Sequence, residues 1–317
     1  MAYRIFIDGK EGTTGLRIFD RLAGRSDITM LTLPEEKRKD PAARRECLHE
    51  ADIAILCLPD AAARESVALS EGSKARILDT STAHRTQQGW VYGFPELSAQ
   101  QRQAVIDGKC VAVPGCHASG FIALVAPLVK QGIIPGDLPL TCFSLTGYSG
   151  GGKKMIAEYE SLNRDAALKS PRQYGLTQQH KHLPEMQHIS GLAQPPIFAP
   201  IVADFYSGME VTIPLFASQL NCGPHSVEEL TQALKAYYAG SSIVKVLGTE
   251  EVAAMNGFIA SNALSGHDGM ELMVLGNDER FQLVARFDNL GKGSSGAALQ
   301  CLNLMMGIDE TYGLNLA

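Results

Sequence analysis

The sequence predicts an α/β protein of two domains, the first built on a parallel sheet and the second on a sheet with one solvated face. Three observations predict it. Up to about residue 116, short unbroken apolar runs alternate with helical stretches, the pattern of strands covered on both sides. A glycine-rich turn joins the first of these runs to the first helix. After Val129 the runs change to apolar–polar alternation, as in Leu138-Pro-Leu-Thr-Cys-Phe-Ser-Leu145, which reads as strands with one wet face. A chain of 317 residues also exceeds one ordinary core and suits about two domains.

Taken in order, the chain opens with the strand Tyr3–Ile7, the turn Asp8-Gly9-Lys-Glu-Gly12-Thr13-Thr14-Gly15, and a helix from Leu16 to Leu22. Glycines at 9, 12 and 15 permit a tight turn, close approach of backbone N–H groups to a pyrophosphate, and close packing of helix on strand. The spacing differs from the usual G-x-G-x-x-G, so an unliganded turn is the competing reading. Ile28–Leu33 is a second strand, followed by Pro34-Glu-Glu-Lys37-Arg38-Lys39 where an NAD enzyme keeps an acid for the ribose. Basic side chains there suit a 2′-phosphate and favour NADP, with a solvated charged loop as the alternative. A helix over 41–49 leads to the buried strand Asp52–Leu58, a helix over 61–69, and the strand Ala75–Asp79. The polar loop Thr80–Arg85 leaves the carboxyl end of that strand, the edge where ligands bind, which makes Ser81, Thr82 and His84 candidate cofactor contacts. Residues 90–96 read as a loop, 98–106 as a helix, and Lys109–Val113 as the strand that leads to Pro114-Gly115-Cys116.

Cys116 stands where that strand ends and a buried helix begins, with Ala118-Ser119-Gly120 in its first turn and an apolar run to Val129. A thiol at a helix N-terminus ionises more easily, and the thiolate is the reactive form. The alternative is a small side chain filling a buried site. Thr146-Gly-Tyr-Ser149-Gly150-Gly-Gly-Lys153-Lys154 offers converging backbone N–H groups and a charge, an oxyanion cradle unless it is only a linker. A helix is expected over 155–168, and then His180-x-His182-x-x-Glu185. This cluster lacks the His-Glu-x-x-His spacing of metal ligands, so no metal is expected and His180 is the candidate acid/base. His49, His188, His225 and His267 read as ordinary structural histidines. Strands are expected between Phe198 and Phe216 and over 281–287, a capped helix over 226–238, and a buried last helix over 295–306.

Composition excludes several classes of partner. Hydrophobic content of 45%, charged content of 20% and a net charge of −6 describe a globular protein with no electrostatic case for nucleic acid or an anionic membrane. The N-terminus enters a strand without signal-peptide regions, and no apolar stretch reaches spanning length, so a cytoplasmic location is expected. The 7 cysteines form no Cys-x-x-Cys pair, which argues against disulfides and structural zinc.

Four motifs in order, Gly9-x-x-Gly12-x-x-Gly15, Pro-Gly-Cys116, His180-x-His182-x-Pro-Glu185 and Asp288-Asn289-Leu-x-Lys-Gly293, resemble those of the N-acetyl-γ-glutamyl-phosphate reductases, in their shorter form. The sequence departs from that pattern at Lys10-Glu11 and at Leu58-Pro59-Asp60-Ala61. The resemblance implies a Rossmann-type domain for NADP at 1–116 and 294–317, and an α+β catalytic and dimerisation domain with a mixed sheet at 117–293. It also implies a fold similar to aspartate-semialdehyde dehydrogenase, a homodimer or homotetramer, and an acyl phosphate as the small-molecule substrate. In the implied chemistry Cys116 displaces phosphate to give a thioester, NADPH delivers hydride, and the thiohemiacetal collapses to the aldehyde. Cys116 and His180 are the expected catalytic pair, with Ser149, Gly150, Lys153, His182 and Glu185 at the substrate. Gly9, Gly12, Thr13, Thr14, Gly15, Lys37, Arg38, Ser81, His84 and Asn289 are the expected cofactor contacts, Asn289 through the nicotinamide carboxamide. A related reductase of aspartyl or amino-adipyl phosphates would use the same chemistry, and a Cys-His hydrolase or acyltransferase would leave the Gly9 turn unexplained.

Overall fold

The computed structural model describes residues 2–10, 12–221 and 226–316; Glu11, Cys222 and His225 of the reading above lie outside the described residues. Contacts divide the chain into two units, residues 1–114 with 294–314, and residues 115–293 with 315–317.

The first unit runs β1 Tyr3–Asp8, α1 Thr13–Leu22, β2 Ile28–Leu31, α2 Pro41–Glu50, β3 Ile53–Leu56, α3 Asp60–Leu69, β4 Arg76–Asp79, β5 Val91–Tyr92, α4 Ala99–Asp107 and β6 Cys110–Ala112. Its strands form one sheet in the order β2-β1-β3-β4-β6-β5, every pair parallel. Chain order reverses at β1: the next strand lies on one side of it and β3 on the other, so a crevice opens at the carboxyl ends of β1 and β3. Ile5, Ile7, Ile53 and Ile55 form a core with the C-terminal helix Gly296–Met305, every residue of which is buried. Residues 90–96, expected as a loop, supply the edge strand β5, held in register on β6 by Val91 opposite Val111.

The second unit begins with α5 Cys116–Lys130 and continues through β7 Thr141–Gly147, α6 Gly152–Glu160, β8 Arg172–Gln173, α7 Leu183–Ser190, β9 Ile197–Ala203, β10 Met209–Phe216, α8 Val227–Tyr237, β11 Val244–Val246, α9 Thr249–Ala253, β12 Met270–Asn277 and β13 Arg280–Phe287. The sheet is mixed, in the order β11-β12-β13-β10-β7-β9-β8, with β11–β12 and β7–β9 parallel and the remaining pairs antiparallel. α5 packs on it so tightly that a Cβ on Gly120 would lie 2.7 Å from Val211 and 2.8 Å from Phe287. The Ser-x-x-Glu signal of α8 forms a capping box, the Ser226 hydroxyl accepting the Glu229 N–H and Glu229 accepting the Ser226 N–H, both at 3.1 Å.

Two expectations differ from the structure here. The helix expected over 155–168 starts at Gly152 and ends at Glu160, because Ser161 and Asp165 turn their side chains onto the N–H groups of Asn163 and Ala167 and compete with the helix backbone. Residues 239–280, given no element from sequence, form β11, α9 and β12; β12 lies between β11 and β13, and its Leu272-Met273-Val274 core is buried without clean alternation. Among the described residues no helix is long and apolar enough to cross a membrane.

Candidate active site

The dinucleotide crevice is built by the first turn. Gly9 has φ +89, and a Cβ there would meet the Cys57 carbonyl oxygen at 2.4 Å; at Gly15 it would meet the Gly9 carbonyl oxygen at 2.5 Å. Both positions therefore exclude any side chain. Gly12 differs: it caps α1 at φ −70, and a Cβ there would meet the Gly9 and Cys57 carbonyl oxygens at 3.6 and 3.7 Å, ordinary contact distances, so a methyl would fit. That is the distribution expected of a turn that lets a pyrophosphate approach the backbone. A cavity of about 460 Å³ opens beside it, lined by Gly9, Gly12, Thr32, Arg38, Lys39 and Leu58 among others, a volume within the range of small-molecule sites. Arg38 and Lys39 line this cavity and Lys37 does not; Arg38 also pairs with Glu35 at 3.4 Å. The helix of Thr13 begins at the turn, and the Thr14 hydroxyl lies 3.2 Å from that of Ser294.

Ser81 and His84 stand in a different setting from the one their loop suggested. Both are buried and bound to Asp79, Ser81 through its N–H at 3.0 Å and hydroxyl at 2.7 Å, and His84 through Nδ1 at 2.6 Å, with the imidazole stacked on Trp90. Their side chains hold the loop to β4. Thr82 likewise binds Asp60.

In the second unit Cys116 is the first residue of α5, half-buried, with Gly115 as a cap that offers no side chain. The first-turn N–H groups have no partners within their own helix, and the thiol sits at the positive end of its dipole. Gly115 is fixed from outside: its N–H donates to Glu185 Oε2 at 3.1 Å, and Glu185 in the first turn of α7 is 1% exposed. A Cβ on Gly293 would lie 3.0 Å from the Cβ of Cys116, so the Asp288–Gly293 segment passes directly beside the thiol-bearing residue.

Around His117, the residue after Cys116, the structure gathers two further histidines and a tyrosine. His180 meets His182 at 4.7 Å and His117 at 5.7 Å between ring centres, and Tyr174 lies 5.9 Å from His180. His180 Nδ1 accepts the backbone N–H of His182 at 3.2 Å, which puts the proton of its neutral ring on Nε2. His180 is half-exposed and His182 buried. His117, unremarked in the sequence reading, is buried between Ser144 and Tyr174, and burial together with the charges of His180 and Lys181 lowers it to about 3. Its only sequence signal is its place next to Cys116; Tyr174 and Ser144 give none. No group of three or more His, Cys, Asp or Glu side chains among the described residues is arranged to hold a metal ion.

The glycine-rich loop follows β7. Ser149 is buried, and its hydroxyl accepts from Asn289 Nδ2 at 3.0 Å while Asn289 Oδ1 accepts the Gly208 N–H at 2.9 Å. The amide of Asn289 thus braces the loop, a role its motif did not suggest. Gly150 and Lys153 are exposed, at the end of the loop and in the first turn of α6.

A parallel sheet with a glycine-rich first turn, followed by a mixed-sheet unit that opens with a cysteine as the first residue of a helix, is the construction of the semialdehyde dehydrogenases. The family described as "Semialdehyde dehydrogenase, NAD binding domain" matches residues 7–105, and "Semialdehyde dehydrogenase, dimerisation domain" matches residues 116–289. N-acetyl-gamma-glutamyl-phosphate reductase 2 of Nostoc sp. (strain PCC 7120) is 47% identical over 98% of this chain and 99% of its own length, and the reductase of Sinorhizobium medicae is 46% identical over 96% and 99%. The chain belongs to the N-acetyl-γ-glutamyl-phosphate reductase family, and is an oxidoreductase with a nicotinamide-dinucleotide domain. Aspartate semialdehyde dehydrogenase II of Vibrio cholerae shares the fold, with a TM-score of 0.72 at 14% identity over 97% of this chain and 99% of that one. The aspartate semialdehyde dehydrogenase of Candida albicans, solved with NADP, gives 0.69 at 14% identity over 96% and 99%.

Proposed function

We propose that this enzyme reduces N-acetyl-γ-glutamyl phosphate to N-acetylglutamate semialdehyde with NADPH, as a cytoplasmic homodimer or homotetramer. The observation that carries the reading is Cys116 at the head of α5, its Gly115 clamped by Glu185, in a chain 47% identical over nearly its whole length to a reductase of that name. The cavity lined by Gly12, Arg38 and Lys39 fits a dinucleotide with a 2′-phosphate, and these residues with Gly9, Thr13, Thr14 and Gly15 would hold it. When bound, the nicotinamide supplies the hydride.

This chain's residues do the rest. The thiolate of Cys116 attacks the acyl carbon, the C–O bond to phosphate breaks, and a thioester remains on sulfur. The departing phosphate is received by Lys153 at the N-terminal, positive end of α6, because N–H groups of the preceding Gly147–Gly152 turn are taken by the chain itself, as that of Ser149 is by the Tyr206 carbonyl at 3.0 Å. His180, half-exposed with Nε2 carrying its proton, donates a hydrogen bond through that N–H to the departing phosphate oxygen, while the backbone N–H of buried His182 fixes its ring; after hydride transfer the alkoxide closes to the aldehyde carbonyl as the C–S bond breaks and the Cys116 thiolate leaves. Dividing the reaction this way spares a direct hydride attack on an anionic acyl phosphate.

The test runs the reaction backwards. Reduction of NADP by N-acetylglutamate semialdehyde should require inorganic phosphate or arsenate, and should exceed the rate with aspartate semialdehyde by at least about a hundredfold, the scale set by a pocket that recognises a polar substituent. Equal or greater use of aspartate semialdehyde would reassign the substrate, and phosphate-independent turnover would overturn the mechanism.

A further inference from the structure

We propose that Tyr174 is a further residue of the Cys116 site, its hydroxyl donating to the anions formed there, and that His117 with Ser144 holds that hydroxyl in place. This deepens the reading above and rests on it for turnover, though not for the behaviour of the resting thiol. His117 follows Cys116 in the first turn of α5, yet its ring turns inward: Nδ1 lies 2.6 Å from Ser144 Oγ, and Nε2 lies 2.5 Å from the Tyr174 oxygen. Two short bonds in series thus anchor the phenol to the floor of the unit, since Ser144 on β7 is fully buried. The Tyr174 ring also meets His180 at 5.9 Å between ring centres, so the anchored phenol packs against both the cysteine's own neighbour and the candidate acid/base.

The proposal assigns the direction of the chain by placing the one proton of the His117 ring on Nε2. Lowered to about 3, His117 stays neutral at working pH and is unfit as a base for the thiol; a neutral imidazole carries one N–H. With that proton on Nε2, the ring donates to the Tyr174 oxygen, Nδ1 accepts from the Ser144 hydroxyl, and the phenolic O–H is turned away from His117. Burial pushes the Tyr174 phenol up, and the charge of the neighbouring Cys116 pushes it the same way. A phenol that keeps its proton beside a thiolate is a donor to anions. It bonds the thiolate first and the oxyanion of the tetrahedral intermediate after attack, and no proton leaves Tyr174 at either stage.

Other charged and titratable groups on the elements packed about Cys116 bear on the same anion. They are His180, Lys181 and His182 ahead of α7, Glu185 on α7, and Asp288 and Lys292 after β13. Glu210 and Arg286 lie on the opposite face of the sheet from Val211 and Phe287, which pack on α5.

The experiment follows alkylation of Cys116 by iodoacetamide as a function of pH in the resting protein, with peptide mass mapping to separate this thiol from the others. Tyr174→Phe keeps the ring and removes the donor. Its midpoint should rise by about one unit, which is a roughly tenfold lower thiolate fraction below both midpoints. Ser144→Ala loosens the anchor and should shift the midpoint upward by less, and it carries the test alone if Tyr174→Phe does not fold. In turnover, Tyr174→Phe should lower kcat about ten- to a hundredfold with KM within a few-fold. A midpoint that stays put in these variants, even with a lower melting temperature, would show that Tyr174 is only a wall and overturn the proposal. Absence of turnover in the unmodified enzyme would count against the assigned substrate and leave the alkylation result standing.

Discussion

Replacing each glycine of the first turn by alanine separates the needs of the fold from those of the ligand. At Gly12 the added methyl meets nothing closer than 3.6 Å and φ is −70, so the backbone accepts it. Gly12→Ala should therefore keep its stability to within about 1 kcal/mol, the scale of an N-cap change. The same methyl enters the space through which a diphosphate reaches the helix N–H groups, and NADPH should bind ten- to a hundredfold more weakly, about 1.4–2.8 kcal/mol. Gly9→Ala behaves in the opposite way: a left-handed φ of +89 and a contact at 2.4 Å to the Cys57 carbonyl force the strand-end apart. The two penalties together should cost about 3 kcal/mol or more. Gly15→Ala, at 2.5 Å from the Gly9 carbonyl, should lose a similar amount. Thermal melting without ligand and quenching titration with NADPH give both quantities. If Gly12→Ala retains affinity, or melts as low as Gly9→Ala, the assignment of the turn to the pyrophosphate is wrong.

Three further outcomes follow from the geometry. Glu185→Ala leaves the buried Gly115 N–H without its carboxylate and should cost about 1.5–3 kcal/mol of stability and roughly a hundredfold in kcat, whereas Glu185→Gln, which keeps an acceptor oxygen, should recover most of the stability; equal melting of all three forms would refute the clamp. Arg38→Ala with Lys39→Ala should weaken NADPH and leave NADH unchanged, while Lys37→Ala, outside the cavity lining, should affect neither; an equal loss for both cofactors would make the cluster a solvated loop. His117 binds a proton near 6.5 when unfolded and only near 3 when folded, so the unfolded chain holds more protons in between. Stability should thus fall as pH drops from about 6.5 toward 3, by up to about 1.4 kcal/mol per unit from this group, and the slope should flatten in His117→Asn; an identical slope would place the titration elsewhere.

The first unit was the more legible because a sheet buried on both faces writes itself as unbroken apolar runs: Ile53–Leu56 and Arg76–Asp79 lie inside the expected segments. Helix starts with side-chain caps, such as Ser98 and Ser226, were readable to within a residue. β12 was not, since three successive residues, Leu272-Met273-Val274, are buried and so break the apolar–polar alternation. In the site, Cys116 and the His180–Glu185 motif stand out because their chemistry is local in sequence. The partners of His117 do not: Ser144 and Tyr174 lie 27 and 57 positions away, and only the pairing of β7 with its neighbours and the turn after β8 bring them to one ring. Ser81, His84 and Asn289 illustrate the converse. These side chains, read from sequence as cofactor contacts, have partners within the chain that their motifs do not announce: Asp79 binds Ser81 and His84, and Ser149 binds Asn289.

The thioester on Cys116 is the point on which the account turns, and it can be weighed directly. The enzyme is mixed with N-acetyl-γ-glutamyl phosphate without dinucleotide, quenched in acid within seconds, digested and mapped by mass spectrometry. The peptide bearing Cys116 should carry one N-acetylglutamyl group that disappears on adding NADPH, and Cys116→Ser should carry none. Full turnover by Cys116→Ser, or an acyl group on a different residue of the unmodified enzyme, would contradict the mechanism.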